Sequence, residues 1–428
     1  MHCFPTQRLG SRSRKQEDFF ESRPFGVNVI GHALDVFGLG ESLRLIVKAL
    51  QVSKIPCCVL NVPAGNTSRQ DLSLQHLLTA GELPYAFNLI CLAPPSHLQW
   101  LMQTGAQGSQ GHFNIAYWFW ETNQWPKNWE PLVKMVDEAW APSALIEQAL
   151  RPLKSSHFSI QRMPMAAEIV QPAVFCEGRV RRRTRLVHGL PCNAFLFGYG
   201  FDLSSTASRK NPMGVLEAFQ MAFPLDQQLA GRFQVALMIK TFPLRCRSSA
   251  WEALLSCARA DPRIHLIAES LSREDLLALY GCCDAFVSLH RSEGFGLGMA
   301  EALQMGVDVI ATDFGGNTDF CQGPLAHPVR FRRKQIPPGS YPYADGHVWA
   351  EPDLEHAAEL MQWVVATKRW PLRETSEALI QPYRDLFSFK RAGDRFRERL
   401  ETLWAQRNEA SRRVAHRDKS SFDSKAIA

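Results

Sequence analysis

The stretch Ser288-Leu-His-Arg-Ser-Glu-Gly-Phe-Gly-Leu-Gly-Met-Ala-Glu-Ala-Leu-Gln-Met-Gly306 gathers residue types suited to holding an elongated polar ligand. An apolar strand ends at Leu289, and a loop with Gly294, Gly296 and Gly298 leads into a helix. Glycines at such a junction let a ligand touch main chain, and the free N–H groups of the helix start favour anions or bond to sugar hydroxyls. Glu293 lies in the loop and Glu301 two turns along, so the carboxylates would face different parts of one ligand. A carboxylate accepts two hydrogen bonds, which suits a ribose diol. The bland reading is a tight turn with solvent-facing glutamates. A single Gly-x-Gly merits it; the full pattern does not.

Such a loop needs a strand before it and a helix after it, and the chain supplies this alternation twice. Val27–Ile30, Pro56–Val62, Phe87–Leu92, Asn114–Glu121 and Glu138–Pro142 read as strands. Leu39, Leu43, Ile46 and Leu50 mark a helix between the first two. After the break from Gln161 to Pro191, strands resume at Phe195–Tyr199, Phe233–Thr241, Ile264–Ala268, Ala285–Leu289 and Val307–Ala311. Asn211-Pro212 reads as a helix start, Ser143 as a cap, and Ser272-Arg-Glu-Asp275 as a capping box. Strands alternating with helices predict α/β domains with parallel sheets covered on both faces.

Composition narrows the class. The 428 residues suffice for two or three domains. The net charge of +6 comes from five arginines within Arg179–Arg185 and from a basic tail after Arg407, not from a folded basic face. That disfavours a nucleic-acid partner. The arginine cluster reads either as a solvated linker or as a dock for an acidic membrane surface. Eleven scattered cysteines without a Cys-x-x-Cys pair suggest reduced thiols in a cytoplasmic protein and no metal site. Neither a transmembrane run nor a signal-peptide core is expected.

The order of strand, Ser-Glu-Gly-Phe-Gly-Leu297, Glu301-Ala-Leu and Gly306-Val-Asp-Val-Ile-Ala-Thr312 resembles the group 1 (family 4) retaining glycosyltransferases of the GT-B fold. The resemblance covers most of the chain. Gly26–Gly31 with Gly38-Leu-Gly-Glu41, Tyr117–Glu121 with Val136–Ser143, and Trp349-Ala-Glu-Pro-Asp353 are similar to the bacterial polysaccharide-biosynthesis branch. Phe201-Asp202, Arg209-Lys-Asn-Pro212 and Glu217-Ala-Phe219 look like the opening of the donor domain.

The resemblance implies two Rossmann-like domains whose parallel sheets face a central cleft. The expected division is a flexible lead (1–25), an acceptor-side domain (26–165), a linker (166–190) and a nucleotide-sugar domain (191–385). A helix returning to the first domain (386–406) and a disordered basic tail (407–428) complete it. Glu293 would sit beside the transferring sugar, Arg209 and Lys210 would clamp the diphosphate, and Glu301 would hold the ribose. Gly294, Phe295, Gly296 and Leu297 would meet sugar or phosphates through main chain, with Lys240 as a second cation. Gly38 and Gly40 would reach the phosphates across the cleft; a simple strand–helix turn is equally compatible. Trp120 would stack on sugar or belong to the core, and Glu121 would bind the acceptor or polarise its hydroxyl.

Two positions depart from the family pattern. Gly200-Phe-Asp202 stands where an arginine is usual, so the arginine here is Arg209, beside Lys210. Phe119-Trp-Glu121 stands where many relatives place a histidine. No Asp-x-Asp pair suggests a divalent ion, so no cofactor or metal is expected beyond the nucleoside-diphosphate-sugar donor. The implied partners are that donor and a glycan or lipid-linked acceptor, with peripheral contact at the inner membrane face through basic segments. The rival readings are another GT-B enzyme, such as a nucleotide-sugar epimerase, and a non-catalytic sugar-binding scaffold.

Overall fold

The computed structural model describes residues 23–65, 70–225, 234–243, 248–367 and 376–425. Most of the expected N-terminal lead and the last three residues of the tail lie outside that set.

Two six-stranded parallel sheets form the frame. The first contains β1 (Val27–Gly31), β2 (Cys57–Asn61), β3 (Phe87–Cys91), β4 (Phe113–Ala116), β5 (Glu138–Ala141) and β6 (Ser159–Arg162), in the order β2-β1-β3-β4-β5-β6. The second contains β7 (Phe195–Gly200), β8 (Val235–Thr241), β9 (Ile264–Ala268), β10 (Ala285–Ser288), β11 (Asp308–Thr312) and β12 (Ala326–Val329). Its order is β12-β11-β10-β7-β8-β9. In the first sheet Val29 lies between Val59 and Leu89. Every residue of β1, β3, β8 and β11 is buried, as a parallel sheet sandwiched by helices requires. Each fully buried Val, Leu or Ile there contributes about 1.5–3 kcal/mol.

Local chemistry sets the helix starts. Ser143 Oγ accepts from Ile146 N, and Ser272 Oγ from Asp275 N. Asn211 behaves differently: it opens the helix Pro212–Ala222 in a left-handed conformation, and its side-chain amide donates to Leu289 O at 2.9 Å. That bond ties this helix start to the end of β10.

Two long-range elements join the domains. The helix Phe389–Lys425 lies on the N-terminal domain, with Phe396 stacked on Trp140 (5.1 Å between ring centres) and Arg399 paired to buried Glu138. The antiparallel hairpin β13 (Phe331–Gln335) and β14 (Val348–Pro352) extends from the C-terminal domain. Its connecting loop seats Tyr341 on Trp120 and Tyr343 on Trp129.

Three expectations need correction. Residues 166–190 are not a solvated linker: they contain the helices Pro172–Cys176 and Gly178–Val187. Asp284, buried beside β10, needs cationic partners, and Arg181 (2.5 Å) and Arg185 (2.8 Å) supply them from one helix face. Arg185 is 4% exposed and also donates to Cys282 O and Ala194 O, while Arg179, Arg182 and Arg183 remain exposed. The chain beyond Arg407 is not a disordered tail, since the helix runs unbroken to Lys425. The strand expected over Asn114–Glu121 ends at Ala116; Tyr117 N still donates to Ile90 O of β3, and beyond it the aromatic run leaves the sheet and reaches the other domain at Glu121.

Candidate active site

A cavity of about 420 Å³ lies between the carboxyl ends of the two sheets. Gly38, Glu41, Arg44 and Asp71 line it from the N-terminal domain, and Asp202, Lys240, Phe242, Arg273, Gly298 and Glu301 from the C-terminal domain. Its size is that of a small-molecule site.

Lys240 is the penultimate residue of β8 and is 4% exposed. Burial brings its pKa down to about 8, with Asp202 opposing part of the shift. Its ammonium rests 3.8 Å from the centre of the Phe242 ring. Glu301 lies on the helix Leu297–Gln304 and is 1% exposed. Burial raises its pKa, and the adjacent Arg273 pulls against that rise. Arg273 Nη1 stands 2.6 Å from Glu301 Oε1, yet this oxygen has no well-aligned hydrogen-bond donor among the described residues. Arg273 Nε also pairs with Glu41 Oε1 at 3.0 Å, and Glu41 Oε2 with Arg44 Nε at 3.0 Å. An ionic chain therefore crosses the cleft at this end.

A second cluster forms where β10 gives way to the glycine loop. Glu293 accepts a hydrogen bond from Lys210 Nζ and lies 3.5 Å from Arg209 Nη1. Burial alone would raise the Glu293 pKa, but Lys210 and then Arg209 overcome it and hold the carboxyl at about 2. Glu293 is therefore ionised across the physiological range. Arg209 is 3% exposed; its Nη1 donates to Ser292 O (2.8 Å) and its Nη2 lies 3.7 Å from Glu121 Oε1. Tyr341 donates its hydroxyl to Glu121 Oε2, and Ser292 donates to the Glu121 carbonyl.

The expected site residues therefore separate. Gly38, Lys240, Leu297 and Glu301 line the cavity, whereas Glu293, Arg209, Lys210 and Glu121 form the adjoining ionic cluster. Gly40 packs instead: a Cβ there would lie 2.1 Å from Asp35 O. Gly296 opens the helix at φ +98°, and a Cβ on Gly294 would stand 3.0 Å from Trp120 O. Phe295 is buried against Phe320. Trp120, left between core and sugar platform, is 3% exposed and packs against Tyr341 and Trp129. Arg273, Glu41 and Tyr341 were not singled out from the sequence. The first hides inside a capping box, and the last lies 220 positions from its partner Glu121.

Residues 262–322 match the family described as glycosyl transferases group 1. This segment carries both Glu293 and Glu301. In this segment the chain is similar to the group 1 glycosyltransferases. Its fold is GT-B, as solved structures of low identity show. HepE of Anabaena, determined with UDP and glucose, superposes with a TM-score of 0.63 at 12% identity, covering 89% of this chain and 100% of that one. Sucrose-phosphate synthase of Thermosynechococcus elongatus gives 0.62 at 15% identity, with 89% and 100% covered. The lipopolysaccharide outer core galactosyltransferase WaaB gives 0.52 at 13%, with 85% and 97% covered. No curated protein matches the chain.

Proposed function

We propose that this protein is a glycosyltransferase that moves a sugar, with retention and without a metal ion, from a nucleoside-diphosphate-sugar to a glycan or lipid-linked acceptor in surface-polysaccharide synthesis. The observation that carries the reading is one cavity holding a buried cation, Lys240, and a buried carboxylate, Glu301, with an oxygen lacking a well-aligned donor. Glu301 accepts the ribose hydroxyls. Lys240, with the amides at the start of Leu297–Gln304, meets the diphosphate, on which negative charge grows as the sugar departs; fixed positive groups aimed there lower the barrier. Lys210 lies next to this path through Glu293, and Arg209 braces the cluster from behind.

Glu293 stays ionised beside the transferring sugar, where it accepts from sugar hydroxyls and offsets positive charge on the anomeric carbon. The acceptor hydroxyl attacks from the face the phosphate leaves, and the departing phosphate takes its proton. Glu121 orients the acceptor from the N-terminal domain. The HepE structure with UDP and glucose makes UDP-glucose the first donor to try. Among the described residues no helix is long and apolar enough to cross a membrane. A cytoplasmic enzyme reaching lipid-linked acceptors peripherally fits the exposed arginines Arg179, Arg182 and Arg183.

The test is a thermal-shift screen against UDP, GDP, ADP and dTDP sugars, then transfer assays with the stabilising donor, with and without EDTA. Ligand at 100 times its dissociation constant stabilises the native state by about 2.7 kcal/mol. Transfer that survives EDTA and falls at least about 100-fold in Lys240→Ala is expected, given the size of such electrostatic effects. Epimerised or hydrolysed donor with no acceptor product would refute the reading, as would loss of activity in EDTA for its metal-free part.

A further inference from the structure

Tyr341 belongs to the C-terminal domain by chain position and to the N-terminal domain by contact. Its ring stacks on Trp120 with centres 5.3 Å apart and planes 29° from parallel. The Arg209 guanidinium lies 5.8 Å from the ring centre. Burial raises the phenol pKa well above its usual value, so the hydroxyl keeps its proton and must be the donor to Glu121 Oε2. The other carboxylate oxygen faces Arg209 at 3.7 Å, and the Glu121 carbonyl is held by Ser292. Glu121 follows an aromatic run that has left its own sheet, so no strand of its own domain fixes it. Every hydrogen-bonding or ionic contact described above for Glu121 comes from the opposite domain.

The two parts of Tyr341 do different jobs. The ring, with Tyr343 on Trp129 and His347 Nδ1 2.8 Å from Thr122 Oγ1, docks the hairpin loop. A phenylalanine would do that as well. The hydroxyl reaches past the docking surface and addresses the carboxylate alone. A hydroxyl donor gives a carboxylate oxygen a strong, directional bond without adding the second charge that a lysine would bring.

We propose that Tyr341 is the positioning residue of Glu121, fixing one carboxylate oxygen so that the acceptor-side group is assembled only when the β13–β14 hairpin is seated on the N-terminal domain. The inference rests on the reading of Glu121 as the acceptor-side carboxylate. It makes acceptor handling depend on a residue of the donor domain.

Two double-mutant cycles on the full chain test it, using Tyr341→Phe, Glu121→Ala and the pair. The first reads thermal unfolding without ligand. The double variant is expected to melt no lower than the weaker single variant, because one shared bond is lost in each. The second reads transfer with the donor and acceptor found in the screen above. Tyr341→Phe is expected to lower kcat about tenfold while the UDP dissociation constant stays within about twofold, and the double variant to lose no more than Glu121→Ala. Tyr341→His, which retains a donor, should recover part of the rate. Wild-type kcat in Tyr341→Phe, or losses that multiply in the double variant, would overturn the proposal. If the wild type transfers nothing, the transferase mechanism fails by itself, and additive melting losses would still overturn the Tyr341–Glu121 link.

Discussion

Burial strips water from the Lys240 ammonium and brings its pKa down to about 8, and a bound diphosphate would restore the charge. The sign follows directly. Below pH 8 the free enzyme already carries the cation; above it, binding an anion requires taking up a proton. UDP affinity should therefore be flat up to about pH 8 and then fall about tenfold per unit, until the pKa of the bound form is reached. Calorimetric titration between pH 6.5 and 9.5 checks this, with Lys240→Met expected to bind more weakly and without the slope. A wild-type affinity that ignores pH would remove Lys240 from the phosphate site. Sequence adjacency tells only part of the story at the same scale. Arg209 and Lys210 read as one clamp, and both do converge on the Glu293 carboxylate, the arginine with a second partner. In the short helix Ala207–Lys210 the arginine turns inward to Ser292 O and the lysine toward Glu293.

At the scale of elements, the helix Phe389–Lys425 is held against Gly38–Val52 through Gly393. A Cβ at that position would stand 2.2 Å from Ala49 O and 2.4 Å from Ser53 Oγ. Helix propensity favours alanine over glycine by about 1 kcal/mol. Forcing backbone apart in a packed interface costs about 1–3 kcal/mol, so the clash should win. Gly393→Ala is expected to lower the urea midpoint rather than raise it, and a stabilised variant would show that the helix sits less tightly. The apolar periodicity of Phe396, Leu400 and Leu403 makes this helix legible, because all three are buried. The same logic failed for Gly178–Val187. Its arginines give no apolar stripe, and what orders it is Asp284, nearly 100 residues away, whose need for a cation no local pattern reveals. The hairpin β13–β14 was likewise invisible except for Trp349–Asp353. Its loop is fixed by aromatic contacts to Trp120 and Trp129, and such contacts carry no period.

Across the whole molecule, the alternation of buried strands and helices was enough for the doubly layered architecture, and the glycine loop for the place of the site. Sequence could not reveal that the two domains share so much. Residues of both belong to one continuous hydrophobic cluster, from Val27 and Leu89 through Leu196 and Phe295 to Phe396. Arg162 pairs with Asp319 at 2.5 Å, Ala167 N donates to Phe387 O, and Arg273 joins Glu41 to Glu301. Domains joined by a mere linker would melt separately, whereas a shared core predicts one cooperative transition. Scanning calorimetry should show a single peak for the full chain. UDP at 100 times its dissociation constant should move that peak as a unit, by about 3 °C for a chain of this length. Two peaks, with UDP shifting one and leaving the other in place, would mean that the bridge from Glu41 to Glu301 transmits nothing between the halves.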